Sequence, residues 1–300
     1  MTSHRSSRLV NSRSYWRIWV RPPASVASTS TETASPSSVF TEPEAASSTV
    51  AAAGDAWRAR LNVSADDEPT LAALGAPKPI TALVLFVVMR VIGLIAQILF
   101  RCRTSGRENL PAAGPLLLCP NHQSYLDGFL IVAALPFRIF RNLCVLGHSK
   151  YFSTPLMRWV ARTTNIVPVN PNMNLVYAMQ AGAHALRQGK VLLLFPEGER
   201  TIDGSIKEFR KGAAILSAHL GVPVVPMALD GTYDVWPRAR RPQKLATVQI
   251  RFGRQIPPPE PPPLTATPAE CEDSYAAATE RLRGDVLDLW RSISGSDNRA

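Results

Sequence analysis

Residues 115–135 read PLLLCPNHQSYLDGFLIVAAL, and this stretch decides the fold class. Its first five residues are a short apolar run closed by Pro120 and Asn121, the length and composition of a buried strand. After a polar loop, apolar residues resume from Gly128 to Leu135 without a strand's alternation, which predicts a helix. Outward from it the same alternation repeats. Strands are predicted at Leu143–Leu146, Asn165–Val169, Val191–Phe195, Val222–Leu229 and Thr247–Phe252, with helices at Pro155–Thr163, Asn174–Gln188 and Gly212–Leu220. Continuous apolar strands separated by helices imply an α/β fold, a mostly parallel sheet flanked by helices on both faces.

Upstream, Ile80–Phe100 (ITALVLFVVMRVIGLIAQILF) is apolar with one charge and, as a helix, about 31 Å long, enough to cross a bilayer core. Arg90, Gly93, Gln97 and Arg101 fall on one helical face, however. Such a polar seam suits a helix lying in the interface or packed on the protein better than a lone span. Residues 78–102 are therefore expected to form an N-terminal membrane-attaching helix, with Lys78, Arg101, Arg103 and Arg107 meeting anionic headgroups. Residues 1–70 are Ser-, Ala- and Pro-rich and should be a disordered basic tail. The first thirty-one carry five arginines and no acid, a composition shared with organellar transit peptides. Residues 256–269 form a Pro-rich linker, and residues 270–294 an amphipathic helix that folds back on the 103–255 domain or meets a partner.

The chain carries a net charge of +10. From Arg101 to Ile256, twenty basic residues face eight acidic ones, so the positive charge belongs to the folded domain. Membrane surfaces, phosphates and coenzyme A are anionic partners for it. Nucleic acid is not expected, since no basic helix or aromatic platform accompanies the charge. Cys102, Cys119, Cys144 and Cys271 show neither disulfide nor zinc spacing, and His148, His184 and His219 are scattered, so no metal is expected.

Two constellations carry chemistry, each at the end of an apolar strand. In Asn121-His122-Gln123-Ser124-Tyr125-Leu126-Asp127-Gly128, His and Asp five apart sit about 140° from a shared helical face. They meet if His122 lies in the loop and Asp127 in the first helical turn. The carboxylate then fixes the imidazole tautomer and leaves the other nitrogen as a base. On these residues alone, a loop histidine beside a capping aspartate is the favoured reading. Ser124 lacks the G-x-S-x-G turn of a hydrolase nucleophile. In Phe195-Pro196-Glu197-Gly198-Glu199-Arg200-Thr201, Gly198 lets backbone N–H groups approach an anion and Arg200 can grip a phosphate. Glu197 would hydrogen-bond a hydroxyl or orient Arg200, and Lys207, Arg210 and Lys211 add a basic rim.

Asn-His-x-x-x-x-Asp followed about seventy-five residues later by Phe-Pro-Glu-Gly-x-Arg resembles the glycerolipid acyltransferase family, which includes 1-acylglycerol-3-phosphate acyltransferases. Residues 189–210 are also similar to the acyltransferase part of bacterial acyl-CoA synthetase fusions. The likeness covers roughly Gly106 to Gly253, with Val222-Pro223-Val224-Val225-Pro226 as the family's fourth block. It implies catalytic His122 and Asp127, substrate binding by Asn121, Glu197, Gly198, Arg200, Lys207, Arg210 and Lys211, and no cofactor. The acyl donor would be acyl-CoA or acyl-carrier protein, the acceptor a lysophospholipid, and the setting a phospholipid membrane, on the cytoplasmic face of a bacterial inner membrane. A non-catalytic lipid-binding protein of the same fold is the alternative. Where the third block usually ends in Arg, this chain has Asn170-Pro171, which implies weaker selectivity for lysophosphatidate.

Overall fold

Every residue of strand Leu116–Pro120 is buried. Leu116 and Leu118 join one apolar cluster while Leu117 and Cys119 join another, so this strand needs a helical layer on each side. The computed structural model describes residues 57, 60–61, 79–169, 175–238, 241–242 and 245–294. Among them are strands β1 (Arg103–Ser105), β2 (Leu116–Pro120), β3 (Leu143–His148), β4 (Ile166–Val169), β5 (Val191–Leu193), β6 (Val224–Asp230) and β7 (Gln249–Phe252). They form one sheet in the order β1-β7-β6-β2-β5-β3-β4. β6, β2, β5, β3 and β4 run parallel, and only the β6–β7 pairing is antiparallel. The mostly parallel expectation therefore holds.

The α-helices are α1 (Pro79–Phe100), α2 (Asp127–Ala134), α3 (Phe137–Phe140), α4 (Pro155–Thr163), α5 (Leu175–Arg187), α6 (Gly212–Leu220), α7 (Thr232–Val235) and α8 (Pro268–Ser294). α1, α2 and α3 cover the Leu116/Leu118 face through Ala96, Leu130, Ile131 and Ile139. α5, α6 and α8 cover the other through Ala178, Leu216, Leu282 and Val286.

Departures from the expected boundaries have local causes. β4 starts one residue late because Asn165 takes φ 54, a left-handed conformation that no strand continues. β5 stops at Leu193, although the Leu194 N–H still donates to the Leu118 carbonyl at 3.0 Å, and Phe195 lies beyond it at the site. β1 was not anticipated: it is three residues long, polar and at the sheet edge, with no apolar run to announce it. Within residues 256–269, Ile256 exchanges both backbone hydrogen bonds with Val224, and α8 begins at Pro268, two residues inside the expected linker.

The ends of the domain are packed against it. The tail expected over 1–70 lies outside the described residues except for Trp57, Arg60 and Leu61. Leu61 is 1% exposed in the core, and its carbonyl accepts from Arg187 at 2.9 Å, so packing begins before residue 70. α8 folds back across the sheet. Leu282 and Val286 are buried, Trp290 Nε1 donates to Asp230 Oδ1 at 3.0 Å, and Arg283 Nε donates to the Lys207 carbonyl at 3.0 Å.

α1 sets part of its polar seam against α2, although Arg90 and Gln97 remain exposed. Arg90 Nη1 donates to the Ala133 carbonyl at 3.3 Å, and a Cβ on Gly93 would lie 3.1 Å from that of Ala133. Phe86 meets Phe137 and Phe140 edge-on at 5.1 and 5.4 Å. The adjoining side exposes Ile80, Val84, Val87, Val91, Leu94 and Ile98. By length and composition α1 is the one described helix able to cross a membrane.

Candidate active site

His122 leaves the carboxyl end of β2, where a parallel sheet of this kind opens its ligand crevice. Asp127 opens α2, so the five-residue spacing becomes one turn-sized loop. The carboxylate is fully buried, and its Oδ2 accepts three hydrogen bonds: from His122 Nδ1 at 2.8 Å, from the Gln123 N–H at 2.6 Å and from the Ser124 N–H at 2.7 Å. Because Oδ2 can only accept, Nδ1 must carry the proton. Nε2 keeps its lone pair and takes no hydrogen bond from the described residues.

The second block closes on the first through the backbone. Glu197 Oε1 accepts from the His122 N–H at 2.6 Å, and the Thr201 N–H donates to the His122 carbonyl at 2.9 Å. Glu197 Oε2 accepts from the Lys207 N–H at 3.1 Å. Burial pushes the Glu197 carboxyl up to about 7, against the two N–H donors that favour its ionised form. Glu197 thus binds backbone at both oxygens. The expected contact to Arg200 is not made.

Above this loop the imidazole of His122 stacks on Phe195, with ring centres 3.9 Å apart and 23° between planes. Ser124 is fully buried with its hydroxyl donating to the Trp236 carbonyl at 2.7 Å, so it offers no nucleophile. Arg200 lies 3.7 Å over the face of Tyr125 and donates to the Tyr151 hydroxyl at 3.1 Å, while its Nε is buried without a partner among the described residues. Gly198 needs its φ of 74, and a Cβ there would strike the Arg210 guanidinium at 2.6 Å. This places Arg210 beside the turn.

The rest of the expected basic rim is spoken for. Lys207 Nζ pairs with Glu199 at 2.9 Å and Arg238 with the same carboxylate at 2.6 Å, which together hold Glu199 below the usual carboxylate range. Lys211 pairs with Glu272 on α8. Asn121 is buried, exchanging both amide bonds with the backbone of Leu229 at 3.0 and 2.7 Å, and so it fixes the loop against β6. Asn170 and Pro171 lie outside the described residues. Phe195, Tyr125, Tyr151 and Arg238 received no role from the sequence. Phe195 and Tyr125 stand inside the quoted blocks, but the other two are distant in the chain.

A histidine leaving a strand end, held by the carboxylate that opens the next helix and followed by a Gly-Arg turn, marks the site of this α/β domain, and residues 101–230 match the family model described as Acyltransferase. Residues 101–230 are thus an acyltransferase domain similar to those of the glycerolipid acyltransferases. Over 157 residues it is 32% identical to the 1-acyl-sn-glycerol-3-phosphate acyltransferase of Chlamydomonas reinhardtii, covering 51% of this chain and 46% of that one. Over 198 residues it is 27% identical to the human 1-acyl-sn-glycerol-3-phosphate acyltransferase alpha, covering 65% of each. The crystal structure of PlsC, the 1-acyl-sn-glycerophosphate (LPA) acyltransferase of Thermotoga maritima, superposes with a TM-score of 0.52 at 22% identity over 67% of this chain and 81% of that one, a likeness of fold. The chain spans under half the length of the algal relative and of the chloroplastic relatives from Brassica napus and Arabidopsis thaliana. The comparisons lend no support to the expected likeness to synthetase fusions.

Proposed function

We propose that this protein is an O-acyltransferase moving a fatty acyl group from an acyl thioester, on coenzyme A or an acyl-carrier protein, to the free hydroxyl of a lysophospholipid. The observation that carries this reading is the Asp127 Oδ2–His122 Nδ1 bond of 2.8 Å, which leaves Nε2 basic at the mouth of the loop. Nε2 takes the proton of the acceptor hydroxyl as its oxygen bonds to the thioester carbonyl carbon. The tetrahedral intermediate collapses, the C–S bond breaks, and the thiolate takes the proton back from the imidazolium. Ester and free thiol leave, and His122 is neutral again. Asp127 steadies the imidazolium in between.

Arg200, stacked on Tyr125 and tethered by Tyr151, holds the acceptor's phosphate, with Arg210 beside the Gly198 turn. 1-Acylglycerol-3-phosphate is the acceptor that the relatives' names favour, and a headgroup-bearing lysophospholipid is a second substrate. The exposed apolar side of α1 lies in the membrane interface, where both chains of such a reaction already reside. Release of coenzyme A, measured with and without lysophospholipids across headgroups, tests the proposal. Turnover in the wild type that disappears in a folded His122→Ala protein is expected, and thioester-independent lipid binding without turnover would overturn it.

A further inference from the structure

Between α1, the carboxyl end of α2 and β1 lies a cavity of about 360 Å³, within the span of small-ligand sites (about 300–1,000 Å³). Val87, Val91, Leu94, Leu130, Ala133 and Ala134 form its apolar walls. Its charged groups are Arg90 and Arg107, with Gln97 and Thr104 beside them, and no carboxylate lines it. The Arg107 Nε is buried with no hydrogen-bond partner among the described residues. Burial and then the neighbouring charge of Arg90 hold its guanidinium below the ordinary arginine value. Two guanidinium groups thus line one cavity with no carboxylate among its described lining residues, a charge arrangement that an anion complements. No residue of the His122 site lines the cavity, and Ala133 lies six residues along α2 from Asp127, about 9 Å down the axis.

We propose that this cavity is a second lipid site, in which Arg90 and Arg107 grip the phosphate of an anionic phospholipid whose chains lie along the exposed apolar side of α1. Guanidinium groups suit phosphate oxygens because they donate in pairs. The apolar walls select a lipid over free phosphate. Val87, Val91 and Leu94 line the cavity and are also half-exposed on the outward side of the helix, so headgroup and chains meet one continuous surface. The site rests on the membrane contact proposed for α1 and is independent of acyl transfer.

Sedimentation of the full chain with vesicles of phosphatidylcholine alone, or doped with phosphatidylglycerol, tests it. The wild type should favour the doped vesicles, and Arg90→Gln and Arg107→Gln should each weaken that preference roughly 5-fold. Thr104→Phe, which fills the cavity at unchanged charge, should abolish the preference while binding to phosphatidylcholine persists. Arg254→Gln with Arg281→Gln, which removes twice the charge of either single variant from exposed positions elsewhere, should leave it intact. Without lipid, Arg107→Gln should melt no lower than wild type, since it relieves repulsion, whereas a purely structural arginine would lower the Tm. An unchanged preference in Thr104→Phe would overturn the site, and so would displacement from doped vesicles by inorganic phosphate. A wild type that binds neither vesicle would overturn the membrane contact of α1 as well, while coenzyme A release in detergent would still report on acyl transfer separately.

Discussion

The imidazole of His122 lies flat on the ring of Phe195, centre to centre at 3.9 Å. Its edge is fixed by Asp127 and its face by Phe195, so the ring has lost both rotations that would misdirect Nε2. Phe195→Leu should therefore lower kcat about 10-fold or more with KM for the acceptor little changed, and Phe195→Tyr should restore most of it. Steady-state kinetics on both variants checks this. A rise in KM alone would assign Phe195 to substrate binding.

Asp127→Asn should keep the fold and lower kcat about 10³- to 10⁴-fold, because the amide favours the wrong imidazole tautomer. Raising the pH should not rescue it, since the loss is one of orientation rather than protonation. Activity assays from acid to alkaline pH, with circular dichroism as the folding control, read this directly.

Glu197 carries a pH signature. Its folded-state value of about 7 lies above its ordinary 4.5, so burial favours the protonated form. Its contribution to stability is fully present below about pH 4.5 and is lost as pH rises through 7. At about 1.4 kcal/mol per unit, the loss is of the order of 3 kcal/mol. Urea titrations of wild type and Glu197→Gln should show the two stability curves converging as the pH falls and separating toward pH 7. Parallel curves would place the titrating group elsewhere.

Tyr151 accepts from Arg200 at 3.1 Å and so positions the proposed phosphate-binding guanidinium. Tyr151→Phe should raise KM for phosphate-bearing acceptors several-fold with kcat kept, a loss on the scale of one charge-assisted hydrogen bond. Arg200→Ala should harm all such acceptors more severely. Equal effects on KM for the thioester would move Arg200 to the donor side.

The carboxyl-terminal helix belongs to the core. Leu282 is 5% exposed against the sheet, and Leu282→Ala should cost about 2–5 kcal/mol, read as a lower urea midpoint. A change below 1 kcal/mol would show that α8 merely rests on the surface.

Much of this architecture was legible in the chain because burial writes itself as pattern. PLLLC and VLLLF are apolar at every position because their strands are covered on both faces, and Pro155–Thr163 and Gly212–Leu220 form helices with the expected bounds. β1 was not legible, since Arg103-Thr104-Ser105 becomes a strand only by pairing with β7. The site divides the same way. His122 and Asp127 are close in sequence, so a loop and one helical turn suffice to join them, and chemistry names both. That Glu197 would hold the His122 backbone instead of a substrate, that Arg238 would join Lys207 on Glu199, and that Lys211 would be drawn to Glu272 depend on chain segments tens of residues apart. α1 shows the boundary most clearly. Its composition alone determined an apolar helix with one polar seam. Only packing against Ala133, Phe137 and Phe140 decided that Arg90 and Gly93 meet α2 while the adjoining apolar side faces out, because a helix has no inward side until a neighbour supplies one.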